Sequence, residues 1–163
     1  MLGGARSGKS AFAERIAGEC GEPVLYVATA TAGDDEMAER IALHRARRLQ
    51  GWRTVEAPLG IAHIGAEPGD AATVLVEDLT LLLSNLMVED ESGAEARAVA
   101  EVNALLALEA HVVLVSNEVG MGIVPPYPLG RLFRDGLGRV NQSAAAACSE
   151  VYFVVAGVPL RLK

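Results

Sequence analysis

Four runs of the chain are short, β-branched and apolar without alternation: Val24–Ala28 (VLYVA), Thr73–Glu77 (TVLVE), Val112–Ser116 (VVLVS) and Val151–Val155 (VYFVV). Continuity of this kind predicts strands covered on both faces, as in a parallel sheet. A last strand is predicted in VPLRLK, Val158–Lys163. Helical patterns fill the intervals, over Ser10–Glu19, Asp34–Arg48, Leu79–Val88, Ala94–Glu109 and about Gly130–Ser149. Gly60–Ala72 is ambiguous, and the PPYP turn at Pro125–Pro128 stops regular structure. Strand and helix alternate, which predicts an α/β sandwich of three layers in a single domain, residues 1–163.

The chemistry enters with GGARSGKS, Gly3–Ser10. Gly3, Gly8, Lys9 and Ser10 occupy the fixed places of G-x-x-x-x-G-K-[ST], the pattern of a phosphate-binding loop. Glycines let the backbone wrap so that successive N–H groups face phosphate oxygens, and the following helix adds its positive end. Lys9 then reaches the β- and γ-phosphates, and the Ser10 hydroxyl takes a place on Mg²⁺. A loop of this type hangs from a buried strand, yet Met1 and Leu2 alone precede it, so the first strand is expected to be truncated. A metal-bound phosphate also needs an acid at the end of a neighbouring strand. TVLVE ends on Glu77, followed by Asp78; either is placed to orient Mg²⁺, and either is placed to cap the helix beginning at Leu79. VVLVS delivers Asn117 and Glu118 to the same edge.

Composition narrows the partners. An apolar content of 51% with 21% charged residues fits a globular protein, and the net charge of −7 argues against a non-specific grip on nucleic acid or an anionic membrane. Cys20 and Cys148 are too few for a disulfide framework and read as small buried apolar groups. No leader pattern and no bilayer-length apolar run is present, so a cytoplasmic location without membrane insertion is expected.

A second informative stretch is DDEMAERIALHRARRLQGWRTVE, Asp34–Glu56. Asp34 or Asp35 can cap a helix, and Met37, Ile41 and His44 share one of its faces. Arg45, Arg47 and Arg48 beside His44 disfavour its cationic form, leaving a neutral, nucleophilic imidazole. The same arginines suit a triphosphate. Physics alone leaves His44 open between nucleophile and structural residue, whereas His63 and His111 read as structural.

Taken together, the motifs resemble the bifunctional adenosylcobinamide kinase / adenosylcobinamide-phosphate guanylyltransferase family of cobalamin biosynthesis. The matching blocks are GGARSGKS, D-x-E-M-x-x-R-I-x-x-H from Asp34 to His44 with WRTVE at Trp52–Glu56, VLVEDLTLLLSNLM at Val74–Met87, SNEVGMGIVP at Ser116–Pro125 and RLFRDGLGRVNQ at Arg131–Gln142. The resemblance implies a RecA-like phosphate-loop NTPase fold with a mainly parallel sheet, assembled as a homotrimer. It implies two reactions: phosphorylation of adenosylcobinamide by ATP or GTP, and transfer of GMP from GTP through a guanylyl-histidine to adenosylcobinamide phosphate. His44 aligns with the family's nucleophile, and Lys9 is expected to act beside it. Nucleotide contacts carry over to Gly3, Gly4, Ala5, Arg6, Ser7, Gly8, Lys9 and Ser10; to Ala28, Thr29 and Ala30; to Arg45, Ala46, Arg47 and Arg48; and to Glu56 and Glu77. Ser10 and Glu77 are the expected Mg²⁺ ligands.

The sequence departs from that family in three places. Arg48-Leu49 stands where an Arg-Pro is common, and Glu77-Asp78 replaces a common Asp-Cys while keeping the first acid. Relatives carry several apolar residues before the glycines, so either the start is assigned too far downstream or a leading segment is omitted. Two alternatives stay open at this stage: a phosphate-loop kinase of another small molecule, and a nucleotide-binding regulatory protein without turnover. Asn117, Glu118, Arg131 and Arg134 stand as candidates for the cobinamide side of the site, or as helix caps and surface ties.

Overall fold

The computed structural model describes residues 1–31, 51–66 and 69–163. The predicted helix Asp34–Arg48, with His44 in it, lies outside them. In chain order the elements are β1 (Leu2–Gly3), α1 (Lys9–Cys20), β2 (Val24–Ala28), β3 (Arg53–Glu56), α2 (Ile61–Ala66), β4 (Thr73–Glu77), α3 (Leu79–Glu89), α4 (Ala94–Leu106), β5 (His111–Leu114), β6 (Ser116–Asn117), α5 (Pro128–Ala147), β7 (Tyr152–Val155) and β8 (Val158–Arg161).

Two ladders run β3-β2-β4-β5 and β6-β1-β7-β8, parallel throughout except for the antiparallel β7–β8 hairpin. They join at Val115. Its N–H donates to the Val76 carbonyl (3.0 Å), and the next residue, Ser116, donates to Met1 O (3.0 Å). The run read from sequence as one strand, Val112–Ser116, therefore changes partner midway, from β4 to β1, and splits into β5 and β6. The first strand is two residues long, as expected, and is paired on both sides: Leu2 sits opposite Ser116 and Phe153, Gly3 opposite Asn117 and Val154.

The apolar runs explain the layers. Along β2, Val24, Tyr26 and Ala28 face α1, while Leu25 and Val27 face α2–α5. In β4, Leu75 joins the α1 side and Val74 and Val76 the other. Side chains alternate in a strand, so a run that must bury both faces has no polar position to spare. On the far face Ile61, Leu79, Leu83, Leu86, Leu105 and Leu137 interlock as one core. Three layers result, with a mainly parallel sheet of the phosphate-loop NTPase kind.

Other elements differ from the sequence reading in instructive ways. β3 carries exposed Arg53, Thr54 and Glu56 on the edge of its ladder, so it has no apolar run to announce it. α2 occupies the ambiguous Gly60–Ala72 stretch. The PPYP segment starts a helix as well as ending a loop: Pro128 is the first residue of α5, where its missing N–H costs nothing. At the other end of α5 the Lys163 ammonium donates to the carbonyls of Ala145, Ala146 and Cys148 (3.2, 3.1 and 2.7 Å), satisfying the orphan acceptors there.

Candidate phosphate-binding site

β1 ends at Gly3 and α1 begins at Lys9, so the intervening residues form a tight loop at the sheet's carboxyl edge. Ser7 N–H closes back on Gly4 O (3.3 Å). Gly8, the residue before the helix, has φ 94°, a left-handed conformation that favours glycine, and among the described residues no side chain caps the N-terminus of α1. Its first N–H groups, together with the helix dipole, form an anion site. Lys9 is buried inside this loop, and its ammonium makes a long bond to Gly4 O at 3.4 Å. A buried ammonium with so weak an acceptor is poised for an anionic ligand.

The acid that faces it is Glu77. Ser10 Oγ donates to Glu77 Oε1, and Glu77 Oε2 is buried without a hydrogen-bond partner among the described residues. Burial pushes the Glu77 carboxyl up to about 7; Ser10 and Lys9 pull it down, while the charges of Asp78 and Glu14 push it further up. An orphaned carboxylate oxygen beside a serine hydroxyl is a pair of hard oxygen donors, which fits Mg²⁺. Among the described residues no cluster of three His, Cys, Asp or Glu converges on a point. Mg²⁺ takes one or two protein oxygens and fills its sphere with water and substrate phosphate.

Asp78, adjacent in sequence, does different work. Its Oδ1 accepts from Leu81 N–H (2.8 Å) and caps α3, and its Oδ2 accepts from Asn117 Nδ2 (3.2 Å). Burial raises its carboxyl above the ordinary aspartate value. Of the two adjacent acids, Glu77, the expected metal ligand, meets Ser10, and Asp78 caps α3.

Three strand ends stand in one line beside the loop: Glu56 is in register with Ala28, and Ala28 with Glu77. Thr29 follows, fully buried, and its hydroxyl accepts from Asp78 N–H (2.7 Å) and donates to Asp78 O (2.8 Å). The Ala28 carbonyl takes Ala57 N–H (2.8 Å), and that of Thr29 takes Asn85 Nδ2 (2.9 Å). These bonds fix where Glu77 stands. Ala30 is half-buried at the end of the same segment. His44, Arg45, Ala46, Arg47 and Arg48 lie outside the described residues.

The residues named for the cobinamide side separate from one another. Asn117 is a brace: its side chain reaches Asp78 and Thr80, its N–H bonds Thr80 Oγ1 (2.9 Å), and its carbonyl takes Asn141 Nδ2 (3.0 Å). Glu118 N–H donates to Gly3 O (3.0 Å), tying the loop after β6 to the phosphate loop. Arg131 holds the carbonyls of Pro125 and Pro126 (both 2.9 Å), and Arg134 pairs with Asp135 (2.8 Å). Thr80, Asn85 and Asn141 escaped the sequence reading, though each is a polar residue interrupting the buried face of a helix, which was a usable signal.

Comparison with known proteins shows the family. The family model for cobinamide kinase / cobinamide phosphate guanyltransferase matches residues 1–162. The bifunctional adenosylcobalamin biosynthesis protein CobP of Pseudomonas aeruginosa is 47% identical over 165 residues, covering 100% of this chain and 95% of its own length. The bifunctional adenosylcobalamin biosynthesis proteins CobU of Escherichia coli and Salmonella typhimurium are 44% and 42% identical, each over 178 residues, with 100% of this chain and 98% of theirs covered.

Proposed function

The chain belongs to the cobinamide kinase / cobinamide phosphate guanyltransferase family, and we propose that its one phosphate loop serves both of that family's reactions. It is a bifunctional enzyme of cobalamin biosynthesis, a kinase and a guanylyltransferase. The observation that carries the assignment is the triad of Lys9, Ser10 and Glu77, two of them adjacent in the loop and the third brought from β4.

In the kinase step the hydroxyl of the aminopropanol arm of adenosylcobinamide attacks the γ-phosphorus of ATP or GTP, and the nucleoside diphosphate leaves. Lys9 and the N–H groups at the start of α1 hold the β- and γ-phosphates, where negative charge builds in the transition state. Ser10 and Glu77 would hold Mg²⁺, which when bound would supply charge neutralisation for the phosphates. Thr29 and Asp78 fix the Glu77 backbone, so the carboxylate needs little reorganisation to serve.

In the second reaction the imidazole of His44 attacks the α-phosphorus of GTP, and pyrophosphate leaves. The terminal phosphate of adenosylcobinamide phosphate then attacks the histidine-bound GMP, freeing the imidazole and forming adenosyl-GDP-cobinamide. Lys9 stabilises the departing pyrophosphate in the same place where it held the β- and γ-phosphates. Gly3–Ser10, Ala28–Ala30, Glu56 and the segment Arg45–Arg48 form the nucleotide's surroundings. The enzyme acts as a homotrimer in the cytoplasm; among the described residues no helix is long and apolar enough to cross a membrane.

Incubation with α-labelled GTP tests the histidine step. Parent protein should take up an acid-labile label, and His44→Ala should take up none while still phosphorylating cobinamide. Labelling that persists in His44→Ala would move the nucleophile elsewhere.

A further inference from the structure

The phosphate loop is braced from outside by the turn of the β7–β8 hairpin, at the other end of the sequence. That turn has two central residues, Ala156 and Gly157, with φ 51° and 80°. Left-handed conformations at both positions, between the paired Val155 and Val158, are the signature of a type I′ hairpin. The Gly157 N–H leaves the hairpin and donates to the Ser7 carbonyl at 2.8 Å. The approach is close: a Cβ on Gly8 would lie 3.1 Å from Gly157 Cα, and a Cβ on Gly3 would lie 2.6 Å from the Val154 carbonyl oxygen.

We propose that Gly157 is a positioning residue for phosphate binding, acting through the Ser7–Gly8 peptide. That peptide is trans. In a trans peptide the C=O and N–H point in opposite directions. Anchoring Ser7 O outward on Gly157 therefore turns the Gly8 N–H inward, toward the space that Lys9 and the first turn of α1 surround. An N–H already aimed at the phosphate costs no reorientation when the ligand arrives. The parallel pairing of Leu2 and Gly3 with Phe153 and Val154 carries the hairpin to this place. The proposal rests on reading Gly3–Ser10 as a phosphate loop and adds to it a residue more than a hundred positions away in the chain.

A backbone substitution isolates the bond. Cys148 is a free cysteine at the end of α5 and allows residues 148–163 to be made chemically and ligated to residues 1–147 without changing any side chain. Replacing Gly157 by glycolic acid turns its N–H into an ester oxygen and removes the donor to Ser7 O alone. Binding of Mg²⁺-GTP and of Mg²⁺-pyrophosphate, measured by calorimetry, should weaken about five- to tenfold, the worth of one hydrogen bond. Gly157→Ala is the companion. It keeps the N–H, and its Cβ meets nothing within 4 Å, so it strains the backbone without deleting the donor. It should melt at a lower temperature and lose less affinity for both ligands than the ester chain does. An ester chain that binds both ligands within about twofold of the all-amide chain would overturn the proposal, whatever its melting temperature. Equal losses in the ester and in Gly157→Ala would also overturn it, by assigning the effect to turn shape. Failure of the all-amide ligated chain to bind either ligand would remove the phosphate-loop reading and this inference together.

Discussion

The two halves of the sheet are held by different means. Around β2, β4 and β5 the strands are four or five residues long, and side chains such as Leu25, Val27, Val74 and Leu75 are fully buried on alternating faces. Around β1 the strands shrink to two residues in β1 and β6, and backbone bonds do the joining: Ser116 N to Met1 O, Glu118 N to Gly3 O, Gly157 N to Ser7 O. The first half supplies apolar burial, the main source of stability. The second half supplies orientation, because peptide groups aimed at a ligand must be fixed in angle more than they must be buried. Stability and site precision are thus lodged in different parts of one sheet.

Substitution in the apolar half should separate the two properties most sharply. Leu75→Ala empties a fully buried position and should cost about 2–5 kcal/mol in urea unfolding. Nucleotide affinity of the folded fraction should stay close to that of the parent. A variant whose affinity falls further than its stability would break the division.

Glu77 sits where the halves meet and is tested by pH. Its carboxyl is raised from 4.5 to about 7 in the folded protein, so the fold holds this proton more tightly than the unfolded chain does. In metal-free protein the contribution of Glu77 to stability should therefore fall as pH rises from 4.5 to about 7 and stay lost above it. Glu77→Gln removes that slope. Compared with the parent in metal-free urea unfolding, it should be similar at low pH and more stable above neutrality, while Mg²⁺-dependent turnover collapses. A difference between Glu77→Gln and parent that does not grow across that window would contradict the placement of Glu77.

How much was legible follows the same division. VLYVA and TVLVE announce β2 and β4 with the boundaries observed, since burial on both faces leaves a continuous apolar run. The loop between β1 and α1 was legible because the pattern it carries sets glycine, lysine and serine at fixed spacing. β3 was not, since an edge strand with Arg53, Thr54 and Glu56 exposed needs no apolar run. The change of partner at Val115 left no trace either, because one strand serving two neighbours in turn keeps the same composition. The separate tasks of Glu77 and Asp78 depend on which carboxylate meets Ser10 and which meets Leu81, contacts across β4 and α3 that linear spacing does not encode.

The smallest expected effect concerns the hairpin that braces the loop. Ala156 adopts φ 51° without a side chain suited to it. Asparagine tolerates that conformation and is the preferred residue before glycine in this turn. Ala156→Asn should raise the melting temperature slightly, by a few tenths of a kcal/mol in stability, with nucleotide binding unchanged or modestly tighter. A lower melting temperature would contradict the turn as described.

In the proposed function a single loop serves two chemistries, and Lys9→Ala tests that most directly. Both cobinamide phosphorylation and guanylyl transfer should fall by at least about a hundredfold in purified, folded Lys9→Ala, measured side by side with the parent. Full retention of either rate would show that its phosphates are held elsewhere.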